Sequence, residues 1–404
     1  MKAFQMTIAG FALTLAMGCQ PSQPDPDPDP APTNSPSPIQ AAVPTATATP
    51  TSSPTPLESP TAPSLDSKIA MVMSTWDGHS FSLTELERME NGPAFVEIIR
   101  TTDNPTMKAS AFHSLRQTYG SVLADATRNF GGSPSFVEVV RTHLDSPHPA
   151  VKDGALRAAV HAMGDNPVPE VQSDLARLLA DSDDARVRFL AQEALDNTET
   201  RATDSTTSAR LKALNDPKPF VVALVLHDLD VNHVRDQNAL QEKLLQLLKH
   251  STPAVRGEAV KRLADMPRTR IKAAAVAEYV KPLLKDSDPY PRGQAVIALG
   301  KLLGIEAVPD MMALVSDRGE SRYKLEFQDL VGKVDIVEDW TYSWGRVDEA
   351  VIRTVAALTY DKPYSFNLGA IFYETRFEDI EREAKRAEIW YQKNRDVIGR
   401  SEDF

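Results

Sequence analysis

The densest group of side chains that could do chemistry lies in the segment 227–233, which reads HDLDVNH. It holds the imidazoles of His227 and His233, and between them the carboxylates of Asp228 and Asp230. On a loop, these four groups could converge on Zn²⁺ or Mn²⁺. The same residues fall where a helix is predicted to end, and a solvated helix end explains them without a metal. We favour the helix end and predict neither a metal nor another cofactor.

A second chemical signal is Cys19, the single cysteine of the chain. Lys2 precedes a mostly apolar run that ends near Met17 and is too short to span a bilayer. The arrangement resembles the lipobox of bacterial lipoproteins, in which the thiol is lipidated and becomes the mature N-terminus. The resemblance implies a lipoprotein signal peptide over residues 1–18 and an anchor in the bacterial cell envelope. The alternative is a plain secretory signal with an incidental cysteine.

The residue after the cysteine is Gln20 rather than Asp. By resemblance to lipoprotein sorting in Gram-negative bacteria, this implies the outer membrane if the host is Gram-negative. From Gln20 to Asp66 the chain holds 14 prolines and no Lys or Arg. Such a composition cannot bury a core, so residues 19–66 are predicted to be the lipidated cysteine followed by a disordered tether. A ligand for a proline-binding partner is the alternative for this linker.

The charge of the remaining chain argues against one class of partner. From Ser67 onward there are 43 basic and 51 acidic residues, and no long basic block occurs. A nucleic acid partner is therefore not expected. The lipid is predicted to be the only contact with the membrane, and the partner is predicted to be a protein.

A repeated segment follows the linker, and each copy has a Leu, a polar turn with Pro or Asp, and an apolar residue that opens a helix. The positions in register are 36, 34, 34 and 36 residues apart: Val151, Val187, Val221, Val255 and Pro291. An earlier copy has Met107 in register. In each copy neither predicted helix can bury its apolar stripe alone, so the helix pairs must stack on one another.

This pattern resembles the HEAT-repeat family, whose units carry an Asp/Pro turn followed by Val–Arg and a run of alanines. The Val–Arg step is kept at Val187–Arg188 and Val255–Arg256, whereas Val221–Val222 lacks the basic residue. The resemblance implies an all-α fold, in which residues 67–330 form a right-handed α-solenoid of HEAT-like helical hairpins.

The basic residues that recur in this register have two interpretations. They could form an ion-pair ladder within the solenoid, using acidic residues five to seven positions upstream, such as Asp145. Alternatively, they could line a basic stripe that binds an acidic partner. The net acidity of the domain favours the ladder. The partner-binding candidates of this stripe are Lys152, Arg188, Arg256 and Arg292.

Residues 331–404 are rich in aromatic side chains and are predicted to be a helical cap that closes the solenoid. Ala350–Leu358 is predicted to be one more helix of the stack, and a long polar helix is predicted from about Phe377 to Arg395. The alternative is that these aromatic residues bind a partner. The candidates for such binding are Trp340, Trp344 and Trp390.

Taken together, the sequence predicts a non-catalytic protein-binding scaffold on a lipid anchor. One alternative is an envelope metal protein or enzyme that uses the segment 227–233. Deoxyhypusine hydroxylases, which are HEAT-like iron enzymes, display repeated His–Glu dipeptides, and this chain's eight histidines include none. A phycobilin-lyase-like protein is a further alternative, although export would separate it from its pigment.

Overall fold

Proline begins most of the second helices in the repeated pairs. Pro149, Pro219, Pro253 and Pro289 each stand at the first position of a helix. There a proline lacks only an N–H that would have had no partner inside the helix, and its fixed φ angle suits the first turn. The turns that precede these prolines therefore separate the two helices of each copy.

The computed structural model describes residues 63–119, 134–163, 168–196, 203–267, 272–325, 340–360, 362, 365–366 and 377–398. The predicted signal peptide 1–18, Cys19 and the linker up to residue 62 lie outside the described residues.

The helices are α1 (Leu65–Ser74), α2 (Glu85–Glu90), α3 (Gly92–Thr101), α4 (Pro105–Tyr119), α5 (Pro134–His143), α6 (Pro149–Met163), α7 (Pro169–Asp181), α8 (Ala185–Asp196), α9 (Asp204–Ala213), α10 (Pro219–Asp228), α11 (Gln237–Leu247), α12 (Pro253–Asp265), α13 (Ala273–Val280), α14 (Pro289–Leu303), α15 (Val308–Met312), α16 (Val347–Thr359) and α17 (Phe377–Ile398). Short 3₁₀ helices cover Val231–His233, Lys281–Lys285 and Gly304–Ala307.

The helices form consecutive pairs, and we number these pairs as copies one (α3, α4) to six (α13, α14). Each second helix packs against its own first helix and against the second helix of the next copy, from α4 through α14. Each helix buries an apolar stripe in this stack: in α12, the side chains of Val255, Ala259 and Leu263 have no exposed surface. The prediction of a helical solenoid is confirmed.

Small residues let neighbouring second helices approach closely. A Cβ atom built on Gly257 in α12 would lie 2.4 Å from ring carbons of Tyr290 in α14. A Cβ on Gly154 in α6 would lie 2.7 Å from the Cβ of Phe112 in α4. These distances are far below van der Waals contact, so glycine is required at both crossings.

A two-stranded antiparallel ribbon interrupts the seventh copy, which is the pair of α15 and α16. Strand β1 (Glu320–Leu325) pairs with β2 (Trp340–Arg346), with Tyr323 opposite Tyr342. The prediction of a helical structure throughout 331–404 is therefore wrong for β2. The alternation of Trp and Tyr with small or polar residues along β2 is a strand pattern, and aromatic side chains suit a pleated surface.

The ribbon is an insertion in a turn, because the chain returns to the point where it left. The N–H of Val347 donates to the carbonyl of Gly319 at 3.1 Å, and the N–H of Asp348 donates to the carbonyl of Asp317 at 2.9 Å. After this closure α16 packs on α14, with Thr354 against Gly300. The prediction of one more helix in the stack is thus confirmed, and α17 then covers α15 and α16.

Within the described part of the chain, no helix combines the length and the apolar character that a membrane crossing requires.

Candidate functional site

The turns between the two helices of each copy share one side-chain acceptor, which we call the turn acceptor. In copy four it is Asp216, whose Oδ1 accepts the N–H of Lys218 at 2.8 Å. In copy six it is Asp286, whose Oδ1 accepts the N–H of Asp288 at 2.9 Å. In copy three it is Ser182, whose hydroxyl oxygen accepts the N–H of Asp184 at 3.3 Å. A polar side chain thus fixes each turn by accepting a hydrogen bond from the amide two residues further on.

An arginine six residues after the turn acceptor closes each of three turns. Arg188 donates through Nη1 to the carbonyls of Ser182 and Asp183, at 2.8 and 3.0 Å. Arg256 donates likewise to the carbonyls of His250 and Ser251, at 2.8 and 2.9 Å. Arg292 repeats the arrangement in copy six. These bonds satisfy carbonyls that the end of the first helix leaves without a partner.

The same guanidinium groups bind the turn acceptor of the following copy with two parallel hydrogen bonds. Arg188 binds Asp216 at 2.5 and 2.9 Å. Arg256 binds Asp286 at 2.7 Å through each nitrogen. Bidentate pairs of this kind are the stronger class of charge-assisted hydrogen bonds.

Arg292 extends this series by binding Asp317 at 2.7 and 3.1 Å. We call the series the turn ladder: Arg188–Asp216, Arg256–Asp286 and Arg292–Asp317. It confirms the ladder interpretation for three of the four basic candidates. The predicted upstream acids are wrong as partners, because stacking places the next copy's turn, 25 to 30 residues on, beside each guanidinium. A search for Asp at that distance would have found them.

The electrostatics of Asp286 fit this role. Burial alone would raise the pKa of its carboxyl, but the hydrogen bonds from Arg256 and from the Asp288 amide outweigh burial and lower the pKa. The pKa of Asp317 is lowered in the same way by Arg292. Both carboxylates are therefore held ionised by groups inside the protein.

Lysines hold the same register position in the first two copies. Lys108 places its Nζ 3.2 Å from Nε2 of His143 in the next copy. Lys152 is half-buried, and among the described residues no carboxylate forms an ion pair with it. Lys152 thus differs from the three arginines.

A second row of contacts links the first helices to the preceding turn. Arg177 in α7 pairs with Asp145 at 2.6 Å, and Lys212 in α9 pairs with Asp181 at 2.6 Å. Both pairs are largely exposed, so each contributes little to stability. Asp145, an upstream acid of the predicted ladder, therefore pairs with a cation in this second row rather than in the turn ladder.

The segment 227–233 does not bring its four candidate ligands to one centre. His233 Nδ1 lies 2.6 Å from Asp230 Oδ2, whereas His227 Nδ1 lies 3.5 Å from Oε1 of Glu258 in α12. Asp228 accepts a hydrogen bond from Gln192 at 2.8 Å. In the described residues, no group of three or more His, Cys, Asp or Glu could hold a metal ion.

The predicted helix end is confirmed, because α10 ends at Asp228. It is not fully solvated, since Asp228 Oδ1 is buried and accepts no hydrogen bond. Burial, and then the neighbouring charge of Asp196, raise the pKa of Asp228 well above its usual value.

Glu258 is the centre of a buried polar cluster that the sequence analysis missed. Its side chain has no exposed surface and accepts a short hydrogen bond from the hydroxyl of Tyr290 in copy six. Lys261 Nζ lies 3.8 Å from its Oε2, and His227 of copy four lies against its Oε1. Glu258 of copy five therefore contacts side chains of copies four and six. The sequence of its own helix, α12, does not predict these contacts.

Burial would raise the pKa of Glu258, but the close approach of His227 and the charges of Lys261, His227 and Arg262 outweigh burial and lower the pKa to about 2. The carboxylate is therefore ionised at neutral pH despite being buried.

Trp390 lies inside the C-terminal cap. Its ring centroid is 5.6 Å from that of Phe366, and the guanidinium of Arg386 lies 5.8 Å from the Phe366 centroid. Trp390 thus packs against the core as a capping residue would. Trp340 and Trp344 lie on β2, and their side chains are outside the described part of the structure. On the outer face of α17, Ile389 and Val397 are 59% and 50% exposed.

Comparison with known families gives one match. Residues 241–327 match the family described as HEAT repeats. No curated protein matches the chain.

The solved structures that this chain matches include the following three. An engineered protein has a TM-score of 0.42 at 20% identity, over 53% of this chain and 96% of its own. The Escherichia coli protein YibA has a TM-score of 0.44 at 13% identity, over 73% and 95% of the two chains. Kap121p, in a crystal structure bound to Pho4p, has a TM-score of 0.46 at 14% identity. That alignment covers 73% of this chain and 36% of Kap121p.

The contacts between successive helix pairs define the fold as a solenoid of paired helices. Residues 241–327 hold most of copies five and six, and over this part the chain is a HEAT-repeat helical protein.

Proposed function

We propose that this HEAT-repeat chain is a non-catalytic protein-binding scaffold, held at the bacterial cell envelope by a lipid on Cys19. The observation that carries the proposal is the family match together with the repeated stacking of copies one to six. A stack in which each copy contacts its neighbours presents a long, repeated surface, and such surfaces suit protein partners.

The ladder arginines are poor candidates for the binding surface, because their donors are engaged within the solenoid. The exposed apolar side chains of the outer helices α1 and α17 are better candidates. They are Leu65, Met71, Met73, Ile389 and Val397. We favour α17, because Ile389 and Val397 are the most exposed of this set and lie two helical turns apart.

Affinity capture after crosslinking in native membranes tests this location. The variant Ile389→Ser with Val397→Ser should lose the captured protein, while its helical signal in circular dichroism stays unchanged. Tyr279→Ser is the matched control, because Tyr279 is 56% exposed but lies on α13. Equal capture by both variants would exclude α17 as the binding surface.

The anchor is supported by the sequence around Cys19 and is tested separately. Metabolic labelling with an alkyne fatty acid should mark the wild-type chain, and fractionation should place it with membranes. Cys19→Ala should lose both the label and the membrane association. A labelled Cys19→Ala chain, or an unlabelled wild-type chain, would contradict the lipid anchor.

A further inference from the structure

The joint between copies four and five lacks the ion pair of the turn ladder. Val222 stands where Arg188 and Arg256 stand, six residues after a turn acceptor, and its side chain is buried. His250 stands where Asp216 and Asp286 stand. At this joint, both partners of the expected ion pair, the arginine and the aspartate, are therefore replaced.

His250 keeps the role of its position within the turn. Its Nδ1 accepts the N–H of Thr252 at 3.0 Å, as the aspartates do in the other turns. The fold of the turn is thus preserved, and only the connection to the preceding copy is lost.

The second row of contacts is also weaker at this joint. Lys243 in α11 donates to Oδ1 of Asn215 at 2.7 Å, where Lys212 in the previous copy meets a carboxylate. In the described residues from Pro134 onward, every other joint has at least one cation–carboxylate pair on the turn side. These pairs are Arg177–Asp145, Arg188–Asp216, Arg256–Asp286 and Arg292–Asp317.

On the opposite side of the same joint, polar contacts connect α12 to the end of α10. Arg262 in α12 donates to the carbonyls of His227 and Leu229 at the end of α10. On the same side, His227 of α10 lies against the buried Glu258 of α12. Among the described residues, the contacts across this joint are thus polar on one side, whereas the turn side has the buried Val222 and a single hydrogen bond, from Lys243 to Asn215.

We propose that the joint between α10 and α12 is a hinge that opens on the turn side and pivots on the Arg262 contacts. Opening at any other joint from copy two onward must break a cation–carboxylate pair on the turn side, whereas opening this joint breaks, in the described part of the chain, only the hydrogen bond from Lys243 to Asn215. Such a hinge lets copies one to four change their angle to the copies that follow, and a partner that spans the joint could select one angle.

Pulsed electron spin resonance tests the hinge on the full chain in a Cys19→Ser background. One spin-label pair, Lys218→Cys with Ser287→Cys, spans the hinge and the next joint. The control pair, Ser251→Cys with Ser316→Cys, spans the two joints that carry Arg256–Asp286 and Arg292–Asp317. All four positions are exposed. We expect the distance distribution of the first pair to be about twofold broader than that of the control pair.

Restoring the missing ion pair provides the second arm. Val222→Arg with His250→Asp should narrow the first distribution to the width of the control. Hydrogen exchange of the amides at 220–222 and 249–252 should also slow by about tenfold. Conversely, Arg256→Met should broaden the control distribution, and this arm stands even if the restored variant does not fold.

Two results would overturn the hinge. One is a wild-type first pair as narrow as the control pair. The other is a folded Val222→Arg, His250→Asp variant whose distribution stays as broad as that of the wild type.

Discussion

Replacing Arg256 by Met removes a guanidinium that makes four hydrogen bonds, two to the next copy and two within the turn of its own copy. Two go to the carboxylate of Asp286, and two go to the carbonyls of His250 and Ser251. The side chains of Arg256 and Asp286 are 13% and 9% exposed, so water can replace little of what is lost. Removing one partner of a buried pair costs about 3 to 5 kcal/mol. Because some exposure remains, we expect the lower end, about 3 kcal/mol.

The assay is urea unfolding of the full chain, followed by circular dichroism at 222 nm. A double-mutant cycle with Asp286→Asn separates the pair from other effects of each change, and we expect a coupling of about 2 kcal/mol. Arg235→Met is the matched control, because the Arg235–Asp204 pair is 85% and 79% exposed. It should cost less than about 1 kcal/mol. A coupling below about 0.5 kcal/mol would refute the turn ladder as a stabilising contact.

Three further predictions concern the buried contacts between copies. Gly257→Ala should destabilise the chain by about 1 to 3 kcal/mol, measured by the same urea unfolding, because the new Cβ would overlap the Tyr290 ring. An unchanged unfolding midpoint would show that the helices can move apart at no cost. Glu258 has a folded-state pKa of about 2, below the ordinary 4.5, so its stabilising contribution is present above pH 4.5 and is lost as pH falls toward 2. Glu258→Gln should therefore flatten the fall in stability between pH 4.5 and 2, and an unchanged slope would contradict the cluster. Asp228 has a raised pKa, so its ionisation destabilises the fold once pH rises above the ordinary value of 3.8. Asp228→Asn should raise the thermal midpoint at neutral pH, with a smaller gain at acidic pH, and a lower midpoint at neutral pH would contradict this.

The repeated helix pairs could be predicted from the sequence because their signals are local. The prolines before the second helices and the 34- to 36-residue spacing are visible in one pass along the chain. The internal use of Arg188, Arg256 and Arg292 could also be predicted, but their partners could not be found nearby in sequence. The partners belong to the next turn, which only stacking brings within reach.

Two features needed information from distant parts of the chain. Glu258 meets Tyr290, 32 residues later, and no local pattern marks a glutamate in an apolar stripe as buried. The strand β2 was different, since its alternation was present in the sequence but its aromatic content suggested a cap. A helical structure was therefore predicted for the segment in which the structure has strand β2.

The most direct test of the scaffold proposal is a binding titration rather than a stability measurement. The full chain, isolated with its native membranes, is crosslinked at increasing expression levels, and the captured proteins are quantified by mass spectrometry. The scaffold proposal predicts that the amount of at least one protein rises and then saturates, and that the Arg235→Met variant saturates in the same way. Capture that rises in proportion to expression for every protein recovered, with no saturation, would contradict a scaffold with a dedicated protein partner.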